Sequence, residues 1–412
     1  MAADLIANRF GSSRLPPRSL LYAARALRGF GDGFAIIVLP AYLTALGYDP
    51  VAVGIVATAS LLGTALLTLI VGTTASHFEL RTLLLTGAAL MTATGLALPQ
   101  VDHLILIALV VFIGTINPSG GDLGMLVPLE HAMLARDSAH EDRTRVFARY
   151  SLIGALATAA GSLAASLPDW LIGRGLTELG AFKTMFYLYA AFGLGSAVIY
   201  RLLPHANVEE TGKRVALGPS RSRVYKLAAL FSVDSFAGGF TAQSLLALWL
   251  FERFDLSLSA AGLFFFWSGT LGAFSFPVAA WIAKRAGLVN TMVFTHVPSS
   301  IFLILAALSS NLYVALGLLL LRSALSQMDV PTRTSYVMAV VTPAERPAAA
   351  SVTAVPRSLA SAISPAIAGV LLTSAVPGLP LIICGGLKIA YDFALLVSFR
   401  HVRPPEEGEP GA

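Results

Sequence analysis

SLLYAARALRGFGDGFAIIVLPAYLTALG, residues 19–47, is the stretch whose reading decides the fold. An α-helix crosses about 30 Å of hydrocarbon with about 20 mostly apolar residues, and this run is long enough. It nevertheless carries Arg25, Arg28 and Asp32 inside it. A charged side chain at that depth is costly, so it faces a partner or a water-filled path and marks function. The run follows Arg9, Arg14 and Arg18, but its length and internal charges make it a retained first span and not a secretory signal.

Outward from that run, the pattern recurs. Apolar runs between charged or Pro/Gly breaks give about twelve spans. The first six cover approximately 19–47, 50–75, 82–101, 104–131, 146–168 and 180–203. The second six cover approximately 224–252, 257–283, 287–309, 311–341, 348–374 and 379–399. The chain therefore divides into a tail at 1–18, a six-helix bundle at 19–203, a polar linker at 204–223, a second bundle at 224–399 and a tail at 400–412. The 412 residues are 56% hydrophobic and 12% charged, against about 25% charged in a soluble domain, with mean hydropathy +0.75. A lipid bilayer is the partner this composition requires.

With the N-terminus inside, eighteen of the 28 Lys and Arg fall on the cytoplasmic side and three, Arg174, Lys183 and Arg253, on the other. Both termini are thus expected in the cytoplasm, with a bacterial inner membrane as the expected location. The basic residues are scattered through short loops with no aromatic interleaving, which excludes a nucleic-acid surface. Cys384 is the single cysteine and has no partner for a disulfide.

The halves repeat each other. Asp32 in span 1, with Asp49 and Gly54 after it, parallels Asp234 in span 7, with Asp255 and Gly262 after it. Asp122 precedes Arg149 by 27 residues, with Gly161 twelve further on; Asp329 precedes Arg357 by 28, with Gly369 twelve further on. Six plus six spans with parallel repeats form the signature of one transporter architecture.

On these residues the chain resembles the major facilitator superfamily over about 19–399. The loop after span 2 offers Gly72, Ser76, His77, Glu79 and Arg81 where that family often has Gly, Asp, Arg, Gly and Arg. The loop after span 8, Lys284-Arg285-Ala286-Gly287, is a nearer match. Glu141-Asp142-Arg143 and Pro343-Ala344-Glu345-Arg346 resemble the family's patterns before spans 5 and 11. A span-4 arginine found in many proton-coupled exporters is missing, since Gly114 to Asn117 occupy its place; Arg322 in span 10 is its nearest analogue. The resemblance implies an all-α membrane protein of two pseudo-symmetric six-helix bundles. It also implies a cavity between them lined by spans 1, 4, 7 and 10 and opened to each side in turn.

Each of those four spans carries an acid: Asp32, Asp122, Asp234 and Asp329. Asp32 lies four residues after Arg28 and seven after Arg25, on one helix face, so it is either locally neutralised or a site for a proton or charged substrate. Asp234 has no basic residue three or four positions away and is expected to be the first proton carrier, unless another span supplies an arginine. Asp122 with Arg149, and Asp329 with Arg357, are expected to form repeat-related gating pairs, with Glu130 and Arg333 deepening the same charged layer. Asn117-Pro118, Gly120-Gly121 and Pro331 suggest interrupted helices. Lys388 and Asp392, four apart, read as a self-neutralising pair, His296 as a packing histidine, and Phe264 to Trp267 as an aromatic packing cluster.

No phosphate-binding loop, metal-ligand cluster or nucleophile–base arrangement occurs, so neither ATP-driven pumping, a cofactor, a metal nor an enzymatic role is expected. The expected function is secondary transport of a small organic solute by a monomer, coupled to protons and directed outward. Uptake of an anionic metabolite through Arg25, Arg28 and Arg322 is the alternative. A non-transporting receptor or scaffold comes third.

Overall fold

The computed structural model describes residues 16–74, 77–120, 124–136, 143–204, 217–342 and 345–400, and the regular structure among them is helical. Span 1 is Pro17–Ala45, span 2 Pro50–Thr74 and span 3 Leu80–Ala97. Span 4 is two pieces, Leu104–Ile113 and Leu126–Arg136. Span 5 is Arg143–Leu163 and span 6 Glu178–Arg201, with a short helix, Leu167–Ile172, between them. Span 7 is again two pieces, Arg221–Gly239 and Gln243–Phe254. Spans 8, 9, 11 and 12 are Leu258–Ala286, Leu288–Leu308, Arg346–Leu372 and Leu379–Phe399. Span 10 comprises Leu312–Ser326 and Asp329–Ala339. Ten helical segments among the described residues are long and apolar enough to cross a membrane. The remaining two of the twelve crossings are the interrupted spans 4 and 7.

Short loops between long helices force consecutive spans antiparallel. We call the face where span 1 begins the inner face and its opposite the outer face. The apolar packing is asymmetric between them. One core occupies the outer half of the molecule and joins both six-span sets, from Phe34–Leu43 of span 1 through Phe240–Leu250 of span 7 to Leu372 and Leu381. The inner half holds two separate cores. One contains Leu20, Leu84, Leu129, Tyr150 and Tyr200 of the first set. The other contains Val224, Phe231, Val293, Tyr336 and Leu395 of the second. The molecule is therefore sealed at its outer face and parted at its inner face.

The seal depends on close backbone approach where the two sets meet. A Cβ at Gly54 of span 2 would lie 2.5 Å from the Pro365 carbonyl of span 11, and one at Gly369 would lie 2.5 Å from the Pro50 carbonyl. At the repeat-related contact, a Cβ at Gly262 of span 8 would lie 2.5 Å from the Ser162 carbonyl of span 5. Lipid is as apolar as leucine, so such small-residue contacts supply van der Waals packing where hydrophobic burial gives little. Thr58 Oγ1 adds a hydrogen bond across the first contact, accepting from Ala366 N at 2.9 Å.

The two interruptions meet each other. Beyond Ile113 the chain turns through Asn117, whose Oδ1 accepts from Ser119 N at 3.0 Å and whose Nδ2 donates to Gly120 O at 3.1 Å. Gly120 takes φ +69°, a conformation that favours glycine. Ser60 donates its hydroxyl to the freed Ile116 carbonyl. The Pro118 carbonyl accepts Ser244 N at 3.0 Å, in the first turn of the second half of span 7. One bond thus satisfies an orphan carbonyl in span 4 and an orphan amide in span 7, as irregular backbone at membrane depth demands.

Candidate functional site

Span 1 runs through the middle of the molecule, and 72% of its apolar window is buried. Its charged face meets the inner half of span 4. Arg28 forms a buried ion pair with Glu130 and not with Asp32 one turn along. Glu130 is fully buried and accepts hydrogen bonds from the hydroxyls of Tyr150 and Tyr200, the second at 2.7 Å. The guanidinium of Arg25 lies over the Tyr150 ring at 5.4 Å. The carboxylate's lone pairs are thus satisfied by one cation and two neutral hydroxyls, as a buried charge requires.

Asp32 is left to a neutral partner. Its Oδ1 accepts from the Tyr189 hydroxyl at 3.2 Å, and Tyr189 approaches Thr115 at 3.4 Å. Asp32 and Arg28 open on a small cleft with a cavity volume of about 30 Å³, lined also by Leu67, Met91, Thr115, Met125 and Tyr189. The resemblance placed the cavity between the bundles, with spans 7 and 10 contributing. This cleft lies within the first six spans.

The second set builds a denser cluster at the repeat-related place. Asp234 was expected to stand without a cation on its own helix, but other spans supply three basic groups. Lys388 Nζ of span 12 donates to its Oδ1 at 2.7 Å, Arg333 of span 10 to its Oδ2 at 3.1 Å, and His296 Nε2 of span 9 lies 3.8 Å away. Helical spacing reports partners on the same helix only, which is why those contacts were invisible. Arg333 also pairs with Asp329 one turn before it. The expected Asp329–Arg357 pair is therefore not formed: Arg357 Nε donates to Ser235 Oγ at 3.2 Å. Lys388 and Asp392 do not neutralise each other either. Lys388 belongs to Asp234, and both Asp392 oxygens lie 3.0–3.1 Å from His296 Nδ1, so His296 is more than packing.

Asp122 lies outside the described residues, and with it the expected Asp122–Arg149 pair; Arg149 is exposed on span 5. Arg322 is half-buried in span 10, and among the described residues its guanidinium has no ion-pair partner. Of the aromatic cluster, Phe264 and Phe265 are buried in the outer core while Trp267 faces outward. Sequence reading missed Tyr150, Tyr189 and Tyr200. A tyrosine in an apolar run carries no signal until the acid beside it is known.

At the inner rim Glu345, just before span 11, fastens the end of the linker. It accepts from the Thr342 hydroxyl at 2.7 Å, the Ser220 hydroxyl at 2.8 Å and Gly218 N at 2.6 Å. The Thr342 hydroxyl first, then Ser220 and the Gly218 and Ser220 amides, hold its carboxyl down to about 2 against the upward push of burial.

Twelve helices in two six-helix sets, parted at one face and lined by buried charge, define a membrane solute transporter. The sequence profile of the Major Facilitator Superfamily matches residues 21–324 and 228–412, and the chain belongs to that family. An uncharacterized membrane protein of Saccharomyces cerevisiae is 27% identical over 418 residues, covering 92% of this chain and 93% of its own. Solved structures share the fold at low identity. The nucleoside transporter NupG superposes with TM-score 0.73 at 16% identity, over 94% of this chain and 100% of that one. The inward-open xylose transporter XylE from E. coli gives 0.73 at 13%, over 94% and 97%. A bacterial homologue of the human lysosomal transporter Spinster, inward-facing, gives 0.69 at 13%, over 94% and 96%.

Proposed function

We propose that the protein is a proton-coupled secondary transporter that exports a small organic solute by alternating access, and that Asp32 is the group that exchanges the proton. One observation carries this reading. Of the described acids on the four central spans, Asp32, Glu130, Asp234 and Asp329, Asp32 alone has no ion-pair partner among the described residues. Arg28, the cation nearest on its own helix, is committed to Glu130. A carboxylate held by one neutral hydroxyl at a cleft can gain and lose a proton without breaking a salt bridge.

The cleft wall mixes Met91, Met125 and Leu67 with Tyr189, Thr115, Asp32 and Arg28 in about equal polar and apolar share, which suits a group that is both apolar and polar. The parted inner face supports loading from that side, which the Lys and Arg distribution makes cytoplasmic. Asp234, fixed by Lys388 and Arg333, and the Arg28–Glu130 pair serve as locks within each bundle. The protein works as a monomer in this reading, since each cluster is completed within one chain.

The test uses proteoliposomes containing a pH-sensitive dye and a panel of nucleosides, sugars, peptides, organic anions and hydrophobic amines. Wild type is expected to move protons opposite to at least one solute. Asp32→Asn is expected to lose proton movement while keeping solute exchange; equal proton movement in both removes Asp32 from the mechanism. The unpaired Arg322 favours a second reading, uptake of an anionic metabolite. In that case protons and solute move together, and Arg322→Gln abolishes transport.

A further inference from the structure

The buried cluster of the second bundle holds a chemistry that locking does not need. Asp392 is fully buried, and among the described residues its hydrogen-bond partner is His296 Nδ1, at 3.0 and 3.1 Å. A carboxylate and an imidazole lone pair repel, so one proton must lie between them, on Nδ1 or on the acid. On the other side of the ring, Lys388 Nζ stands 3.3 Å from Nε2. An ammonium only donates, so in this arrangement Nε2 presents its lone pair and the imidazole is neutral.

Charge crowds around the ring. Asp234 and Asp329 from spans 7 and 10, with Asp392 from span 12, face Arg333 from span 10 and Lys388 from span 12. Three carboxylates meet two ion-paired cations, and Arg357 adds a third positive field at Asp234 and Asp329. Arg357 of span 11 is directed to the Ser235 hydroxyl, Arg322 of span 10 lies toward Cys384, and Tyr391 meets the His296 ring edge-on. His296 stands between two of these carboxylates, Asp392 at Nδ1 and Asp234 beyond Nε2, so a proton added at Nε2 is held from both sides. Asp234 Oδ1 lies 3.8 Å from Nε2, ready to accept it once Lys388 withdraws. Lys388 is the least buried of the three, its side chain 11% exposed where those of His296 and Asp392 are at 3% and 0%.

We propose that His296, held between Asp392 and Lys388, is a second proton-binding site, inside the second bundle and separate from the Asp32 cleft. The bound proton comes from water, forms an N–H bond at Nε2, and displaces the Lys388 contact toward Asp234. The buried histidine thereby joins spans 9 and 12 to span 7 through two carboxylates.

Counting protons tests this directly. Purified protein in detergent is titrated between about pH 8 and pH 5, the range in which histidine changes charge, and proton uptake is measured. His296→Gln is expected to take up about one proton fewer than wild type. Asp392→Asn, which keeps the ring but removes its anion, is expected to shift that uptake to lower pH. A histidine that merely packs stays neutral, and equal uptake in wild type and His296→Gln overturns the proposal. If His296→Gln does not fold, the Asp392→Asn curve decides, and one superimposable on wild type is equally fatal. The measurement needs neither solute nor gradient. A failed Asp32 transport test therefore leaves it standing, and the His296-dependent difference is expected to persist in an Asp32→Asn background.

Discussion

The two bundles solve the same electrostatic problem in opposite ways. In the first, span 1 supplies the cation, Arg28, and span 4 the acid, Glu130. In the second, span 7 supplies the acid, Asp234, and span 10 the cation, Arg333. Polarity is reversed between repeat-related helices. The surroundings differ as well: two tyrosine hydroxyls complete the shell of Glu130, whereas Lys388 and His296 join Arg333 around Asp234. Neutral donors can be kept when the charge is lost, whereas a ring of cations cannot. The repeat conserves where charge is buried and not how it is satisfied.

That contrast breaks first at Asp234. Asp234→Ala strands Lys388 in a buried site and leaves Arg333 with Asp329 alone, and removing one partner of a buried pair costs about 3–5 kcal/mol. Denaturant unfolding in detergent is expected to show a loss of that order, or no folded protein at all. Glu130→Gln should cost less, about 1.5–3 kcal/mol, because the amide carbonyl still accepts from a tyrosine and Arg28 alone loses its charge partner. Equal losses for the two variants would mean that the tyrosines of the first bundle contribute nothing distinct.

The smallest effect sits at the inner rim of the second bundle and depends on pH. Glu345 has its carboxyl held down to about 2, below the ordinary value of about 4.3. A depressed acid contributes stability that is complete above its unfolded value and is lost as pH falls through its folded one. Glu345→Gln should therefore lower the unfolding temperature by a constant amount above about pH 5, with the difference shrinking between about pH 4 and pH 2. A gap that stays constant down to pH 2 would show that the Gln variant acts through shape and not through charge.

Much of the architecture was legible from apolar run length, and of the three spans that the structure divides, 4, 7 and 10, the first two break beside glycines. Asn117-Pro118 and Gly120 predicted the break in span 4, and Pro331 the one in span 10, which falls at Gln327-Met328; the break in span 7 follows Gly238-Gly239. The site was legible in its residues and not in its pairs. Asp32, Glu130, Asp234, Asp329 and Arg333 stood out because a charge in an apolar run is conspicuous in any alphabet. Apart from the Asp329–Arg333 pair on one helix turn, the charged partners come from helices more than 90 positions away, as Glu130 is from Arg28 and Lys388 from Asp234.

By itself the sequence determined that this chain crosses a bilayer about twelve times in two matched sets and buries charge inside each. Hydrocarbon imposes those features locally, through helix length and the cost of each ionisable group, so they can be counted along one strand of text. Which acid meets which base was decided only in three dimensions. Pairing depends on how helices rotate and cross, and that is set by glycine contacts, helix breaks and the summed packing of the whole bundle. Spacing suggested Asp392 with Lys388, and packing gave Asp392 to His296 instead.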